Sequence, residues 1–254
     1  MEYRGIMGGF YRISEWIMRF SVTNILWLLC SSPFFFFLVT KLLVMQSNLA
    51  NESLQMNWMM GIAAPFTLFP ATAAMFSVAR KWVMGDTDVK LVKTFFKSYK
   101  DNYKQAMIGG FFYTLLFVIM YIDYTVYMTQ LQTLQVVGFV MLGLLIVLFV
   151  SLFNFFSMVS HYHMKTFQIL KNSILLTLFR PVRVVLTAVV SGMLLYFGMK
   201  WPVIFIFFAG SIIAYYAFFN FYTTYQKMQD QQDKLNAKDE EETTGEDTIK
   251  EELK

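Results

Sequence analysis

The chain has 254 residues, of which 57% are hydrophobic and 19% aromatic, and its mean hydropathy is positive. A soluble domain is about 45–50% apolar; here the surplus lies in long, almost uncharged runs, which is typical of membrane-spanning helices. The net charge of +4 is uneven, because residues 225–254 hold ten acidic and five basic residues while the rest holds seven and sixteen. Since the basic residues flank apolar runs, they indicate membrane orientation rather than nucleic-acid binding.

The first predicted elements are a surface helix over residues 1–20 and a span over residues 22–45. Apolar side chains recur at helical spacing in the first segment, at Ile6, Phe10, Ile13, Ile17 and Phe20. This pattern is typical of an amphipathic helix lying in the membrane interface. We expect Pro33 to bend the span, and the single cysteine, Cys30, excludes an intrachain disulfide.

The second predicted span covers residues 58–78 and contains Pro65 and Pro70. Each proline frees a backbone carbonyl that needs another partner, so we expect this span to pack inside the bundle. The two prolines are candidate helix kinks with two interpretations. They are either a packing kink or a broken helix of the kind that builds transporter sites.

A basic amphipathic helix is predicted over residues 86–105, after a stop at Gly85 and with Asp86 as its N-cap. Its lysines follow a spacing of three and four, at Lys90, Lys93, Lys97, Lys100 and Lys104. Apolar residues follow the same period opposite them, at Val92, Phe95, Phe96, Tyr99 and Tyr103. The lysine stripe indicates either docking to anionic lipid or an acidic partner, or a solvated face that only fixes topology.

Four more spans are predicted over residues 106–121, 134–159, 184–199 and 203–222. We expect residues 122–133 to connect two of them, Pro181 to end any helix before it, and Pro202 to begin the last span. Residues 1–224 thus form a six-span membrane domain, and residues 225–254 form an acidic tail. Nineteen of the 21 Lys and Arg residues fall on one side of this arrangement. The positive-inside rule therefore predicts that both termini are cytoplasmic.

No residue of the sequence is a catalytic, cofactor-binding or metal-binding candidate. His161 and His163 are two apart, which on a helix points them to different sides, so a shared metal is not expected. Three amides lie in apolar segments, at Asn24, Asn154 and Asn220. We expect them to hydrogen-bond between helices, the alternative being that they line a passive path for a solute.

Four pieces of the chain carry a resemblance to one family. They are Asn24–Pro33, Phe69–Met75, Arg80–Gly85 with Thr94–Ala106, and Leu170–Ser173. In this order and spacing they resemble the YesL-like family of bacterial integral membrane proteins. About 35 residues separate the Cys-Ser-Ser-Pro piece from the Pro-Ala-Thr piece here, where many members have only a few, so the chain resembles a longer subgroup.

The resemblance implies a place in the bacterial inner membrane and a role near sugar uptake, because family members are encoded beside carbohydrate ABC-transport systems. It implies no catalytic residues. We therefore expect an all-α, six-helix transmembrane bundle that is not an enzyme and has no cofactor. Its partners are the lipid bilayer and subunits of a sugar ABC transporter. The alternative is a stand-alone transporter or channel for a small solute. The substrate and the oligomeric state stay open.

Overall fold

The computed structural model describes residues 6–46 and 50–252, and every regular element within these ranges is helical. Side chains are described for these residues except 6–8, 50, 132, 181, 182, 184 and 238–252. The helices are α1 (Ile6–Cys30), α2 (Ser32–Gln46), α3 (Ala50–Ala63), α4 (Phe69–Val83), α5 (Leu91–Thr129), α6 (Gln135–His161), α7 (Thr166–Phe179), α8 (Pro181–Lys200), α9 (Pro202–Ile204) and α10 (Gly210–Glu252). Two π-helical turns, Ala64–Leu68 and Phe205–Ala209, join α3 to α4 and α9 to α10.

Several of these helices are long and apolar enough to cross a membrane. In the described ranges, four pass by length and composition: Asn51–Val83, Leu91–Thr129, Gln135–His161 and Pro202–Ala237. The bent pair α1 and α2 adds a fifth if it counts as one span, and the apolar part of α8 is shorter. In the described ranges, an all-helical fold with several helices that could span a membrane is therefore confirmed, while the number of six spans stays a prediction.

The predicted boundary between a surface helix and the first span is wrong. α1 runs without interruption through residues 20–22 and ends at Cys30, and the chain then bends by 79° into α2. The bend expected at Pro33 is confirmed, because Pro33 stands in the first turn of α2, where its missing N–H costs no helical hydrogen bond. Residues 1–5 of the predicted surface helix and residues 47–49 of the next connection lie outside the described residues.

The second span is the most enclosed one, as expected from its prolines. In Asn51–Val83, 67% of the most apolar window is buried, against 22–33% in the other three spans. The helix continues through both prolines, because Pro65 lies in a π-helical turn that precedes α4 and widens the helix instead of breaking it. Pro70 has no N–H for the Phe66 carbonyl, and the Tyr103 hydroxyl donates to that carbonyl at 3.2 Å.

Gly85 ends α4 as predicted. Its φ of 94° lies in the left-handed region, and the N–H groups of Gly85 and Asp86 donate back to the Trp82 and Lys81 carbonyls at 3.2 and 2.9 Å. This pair of bonds is the Schellman arrangement that closes a helix around a glycine. The predicted N-cap at Asp86 is wrong, because residues 86–90 are not helical and α5 begins at Leu91 without a side-chain cap.

Replacing Gly85 with alanine is expected to destabilise the protein by about 1–2 kcal/mol, because an L-residue meets a steric penalty at this φ. Thermal unfolding of the purified protein in detergent measures the change. Gly192→Ala is the matched control, since that glycine lies inside α8 with nothing within 4 Å of a new Cβ. Equal melting temperatures for the two variants would contradict the assignment of strain to Gly85.

The basic helix and the third span are one element, not two. α5 extends from Leu91 to Thr129, so it replaces both the separate helix predicted over residues 86–105 and most of the connection predicted over residues 122–133. The single charge at Asp123 and the absence of a proline or glycine there leave the helix no reason to stop. The short 3₁₀ turn Gln132–Leu134 then leads into α6, which matches the predicted fourth span within two residues.

In the last third of the chain, prolines mark where helices begin. α7 ends at Phe179, before Pro181, and Pro202 opens the final helix after the turn at Trp201, as predicted. The acidic tail is not a separate element, because α10 continues from Gly210 through residues 225–252 without a break. Only residues 253–254 of the predicted tail lie outside the described residues.

A pair of glycines in α5 allows close contacts with two neighbouring elements of the core. A Cβ added at Gly109 would lie 2.0 Å from the ring of Phe155 on α6, and one at Gly110 would lie 2.8 Å from the Pro65 Cα. The two glycines therefore allow α5 to approach α6 on one side and the π-helical turn on the other. Small residues are the usual means of such close approach between membrane helices.

Candidate functional site

The predicted lysine stripe lies on the surface, and only part of its apolar side faces the core. All five lysines are exposed. Phe95 is fully buried, but Phe96 and Val92 are about half exposed, at 49% and 52%. The structure brings Lys90, Lys93 and Lys97 together with these exposed apolar residues along one groove, while Lys100 and Lys104 lie outside it. The stripe therefore divides into a part that lines the groove (Lys90, Lys93 and Lys97) and a part on the surface outside it (Lys100 and Lys104).

A second polar feature is a cleft of about 430 Å³ where the ends of α4 and α6 meet the start of α5. Its lining is Ser77, Arg80, Lys81, Met84, Asp86, Ser98, Asp101, Asn102, Val159, Ser160, His161, Tyr162 and His163. No single stretch of sequence contains this set, because it comes from three segments that only the fold brings together. We call it the Arg80 cleft.

Arg80 links two walls of the Arg80 cleft. Its Nη1 donates to the Ser160 carbonyl at 2.8 Å, whereas its Nε is buried without a hydrogen-bond partner among the described residues. The ion pair in the cleft joins Lys81 to Asp86 at 3.6 Å and leaves Arg80 outside it. A guanidinium with unused donors favours a planar oxygen ligand such as a carboxylate or phosphate.

The remaining walls supply neutral donors and aromatic rings. Asn102 donates to the Ser77 hydroxyl at 3.0 Å, which fixes α5 against α4. Burial and the nearby Tyr225 raise the pKa of Tyr162 to about 12, so its hydroxyl stays protonated at neutral pH. The sequence placed the two histidines on different sides of one helix, but α6 ends at His161, and His161 and His163 both line the cleft.

The three amides predicted to hydrogen-bond between helices do so. Asn154 donates to Thr177 at 2.8 Å and Asn220 to Thr187 at 3.3 Å, which ties α6 to α7 and α10 to α8. Asn24 of α1 donates to the carbonyls of Phe205 and Ile206 at 2.9 and 2.7 Å. Each of these amides therefore ties its helix to another element.

Arg183 completes the contact between α8 and α10. Its Nη1 donates to the Asn220 carbonyl at 2.8 Å and also to the Thr224 hydroxyl. Beside it the described side chains of α6, α7, α8 and α10 leave a cavity of about 20 Å³. A single water molecule fits such a space, and a sugar does not.

Sequence reasoning missed one buried polar cluster. The Tyr113 hydroxyl lies 3.0 Å from the hydroxyls of Ser173 and Ser151, so one contact joins α5, α6 and α7. The sequence gives little indication of this cluster, because a tyrosine among the apolar residues of a span is common in membrane proteins. Within the described ranges, no three or more His, Cys, Asp or Glu residues group closely enough to hold a metal ion.

Comparison with known proteins gives the family. The profile of the family described as "Protein of unknown function, DUF624" matches residues 20–124. The chain is 33% identical to the uncharacterized protein YteU of Bacillus subtilis (strain 168) over 85% of this chain and 84% of YteU. It is 26% identical to the uncharacterized protein YesL of the same strain, over 82% and 86% of the two chains. No solved structure matches significantly. The chain therefore belongs to the DUF624 family, with YesL and YteU among its relatives.

Proposed function

We propose that the protein is a non-enzymatic accessory or regulatory subunit of bacterial carbohydrate uptake, acting beside an ABC-type transporter for oligosaccharides. In this proposal it sits in the cell membrane with six spans and both termini in the cytoplasm. The Arg80 cleft and the lysine stripe then face the cytoplasm. The link to sugar uptake is supported by the resemblance described above, and the mode of action is supported by the distribution of polar groups.

The observation that favours a binding role is the position of the Arg80 cleft. Among the described residues, a polar cleft of about 430 Å³ lies at the end of the bundle, while the space between α6, α7, α8 and α10 is about 20 Å³. A stand-alone carrier needs a solute-sized site near the middle of its spans. A protein that binds a partner at one face needs only an accessible surface there.

The chemistry of the Arg80 cleft indicates what kind of partner segment fits. Arg80 lines the cleft without an ion-pair partner among the described residues, and Asp101 adds an exposed carboxylate on the α5 wall. A loop carrying a carboxylate beside a basic or hydroxyl side chain satisfies both groups. Truncating one member of a close, desolvated charge pair costs about 2–5 kcal/mol of binding, so Arg80 is the residue to change first.

Arg80→Gln is expected to lower recovery of transporter subunits with the tagged protein by at least about tenfold, since about 1.4 kcal/mol corresponds to that factor. The measurement is crosslinking and capture from membranes of cells grown on the oligosaccharide, together with sugar uptake in a deletion strain that carries each variant. Arg12→Gln is the matched control, because Arg12 is exposed on α1 and far along the chain from the cleft. Ser98→Tyr is the second variant: we expect the tyrosine to fill the cleft while the bond from Arg80 to Ser160 stays in place, and therefore to lower recovery as well.

Three results would contradict the proposal. The first is that no transporter subunit is enriched with the unchanged protein. The second is that deletion leaves sugar uptake intact. The third is saccharide flux into proteoliposomes that contain this protein alone, which would establish the stand-alone transporter instead. Melting temperatures of the Arg80→Gln and Ser98→Tyr variants separate lost binding from lost folding.

A further inference from the structure

The groove beside the start of α5 combines an apolar floor with a basic rim. It is a shallow, open depression with a volume of about 840 Å³. Met18 and Val22 of α1 form one wall, and the stretch from Val89 to Lys97 forms the other. We call it the α1–α5 groove. Its two walls meet because α1 and α5 pack against each other beside the core.

Among the described side chains, no carboxylate forms an ion pair with the lysines at the rim of the α1–α5 groove. Lys90, Lys93 and Lys97 are all exposed. In the described part of the chain the ion pairs are Arg19 with Glu15 and Lys81 with Asp86, and neither pair involves a groove lysine. Asp88 is near in sequence but does not line the groove. Three cations on one edge favour an anionic occupant.

The floor excludes a purely polar occupant. Besides Met18 and Val22 it presents Val89, Leu91, Val92 and Phe96. Val92 and Phe96 are left about half exposed, although Phe95 in the same helix turn is fully buried. An occupant that covers this floor needs a flexible apolar part, and one that meets the rim needs an anionic head.

The position of the groove along α5 favours a membrane lipid as the occupant with an apolar part and an anionic head. α5 is about 58 Å long at 1.5 Å per residue, while the hydrocarbon core of a bilayer is about 30 Å thick. About half of this helix therefore lies outside the hydrocarbon, and its lysine-rich start is the polar half. The groove lies on this polar half, on the side of the bundle where lipid head groups border the hydrocarbon.

We propose that the α1–α5 groove binds an anionic phospholipid. The phosphate and head group lie against Lys90, Lys93 and Lys97, and an acyl chain runs over Phe96, Val22 and Met18. This site is independent of the proposed role in sugar uptake, because it requires only the bilayer as its source of ligand. It also divides the lysine stripe, since Lys100 and Lys104 have no part in it.

The test compares two double variants that remove equal charge. The purified full-length protein is titrated in detergent with phosphatidylglycerol, and bound lipid is counted by native mass spectrometry. Each lysine near an anionic lipid contributes about fivefold to binding. Lys93→Gln with Lys97→Gln is therefore expected to weaken binding by roughly 25-fold, and Lys100→Gln with Lys104→Gln to change it by less than about twofold. Phosphatidylcholine with the same chains is expected to bind weakly to all forms.

Further arms exclude other occupants. Phe96→Ser is expected to weaken phosphatidylglycerol binding while the lysines are intact, and an excess of inorganic phosphate is expected not to displace the lipid. Equal loss in both lysine variants, displacement by phosphate alone, or unchanged lipid binding with loss of an acidic partner protein would each overturn the proposal. Melting curves of every variant, recorded without added lipid, show whether a loss reflects unfolding.

Discussion

Replacing Gly110 with alanine is expected to lower the free energy of unfolding by about 3 kcal/mol, at the upper end of the range for overpacked cores. The new Cβ would lie 2.8 Å from the Pro65 Cα and 2.9 Å from the Phe69 ring. A flexible side chain can move aside, but Pro65 belongs to the backbone of a buried π-helical turn. The clash therefore separates α5 from the most enclosed helix of the bundle.

Thermal unfolding in detergent measures this effect, with a fall in Tm of roughly 5–10 °C expected for a chain of this size. Gly143→Ala is the control, because a Cβ at Gly143 in α6 has nothing within 4 Å. In that open position alanine favours the helix and stabilises it by up to about 1 kcal/mol. If Gly110→Ala melts at or above the temperature of Gly143→Ala, the close approach of α5 to the π-helical turn is wrong.

Replacing Asn24 with alanine is expected to have a comparable effect. Asn24 is fully buried, donates to the carbonyls of Phe205 and Ile206, and accepts the Ser211 N–H at 3.0 Å. The two carbonyls belong to the π-helical turn Phe205–Ala209, and the Ser211 N–H lies in the first turn of α10. A buried polar group left without a partner costs about 1–3 kcal/mol, so the loss of all three bonds is expected to destabilise the protein by about 3 kcal/mol or more.

Hydrogen–deuterium exchange localises this effect. In the Asn24→Ala variant, exchange is expected to rise first at the Ser211 amide and in the turn before it, in addition to a lower Tm. Asn57→Ala is the matched control, because Asn57 is exposed on α3, and its substitution is expected to change stability by less than about 0.5 kcal/mol. Unchanged exchange at residues 205–211 would show that Asn24 does not hold this turn.

Local signals in the sequence were reliable where a residue acts on its own backbone. Pro33, Pro181 and Pro202 each stand in the first turn of a helix. A proline has no N–H to donate to the carbonyl four residues before it, and in the first turn this donor is not needed. Gly85 ends α4 for a similarly local reason. The buried amides were also predictable, since an amide in an apolar span has few partners other than a neighbouring helix.

Helix continuity was harder to predict. The change from charged to apolar residues near Ala106 predicts a boundary, yet α5 passes through it. A change of charge does not stop a helix that has no proline there, and Gly109 and Gly110 are tolerated inside it. The same holds for α1 near residue 21 and for α10 near residue 225. The composition of a segment indicates whether it lies in water or in an apolar environment. One helix can pass from the first environment to the second without a break in its backbone hydrogen bonds.

The candidate sites were predictable where their residues share one helix and not where the fold brings distant segments together. The five lysines were visible as a stripe because they share one helix, but their division between the α1–α5 groove and open surface depends on Met18 and Val22 of another helix. The Arg80 cleft depends on three distant segments, so no spacing in the sequence indicates it. Gly109 and Gly110 carried a usable signal, since adjacent glycines inside a helix predict close packing.

The continuity of α5 has a consequence for the two ends of the bundle. Gly110 lies about 26 Å along the helix from Lys93 and about 29 Å from Thr129, at 1.5 Å per residue. The contact of Gly110 with Pro65 therefore lies near the middle of one continuous helix, whose lysine-rich start and Thr129 end are about 54 Å apart. A single unbroken element thus connects the lysine-rich end of the bundle with its opposite end.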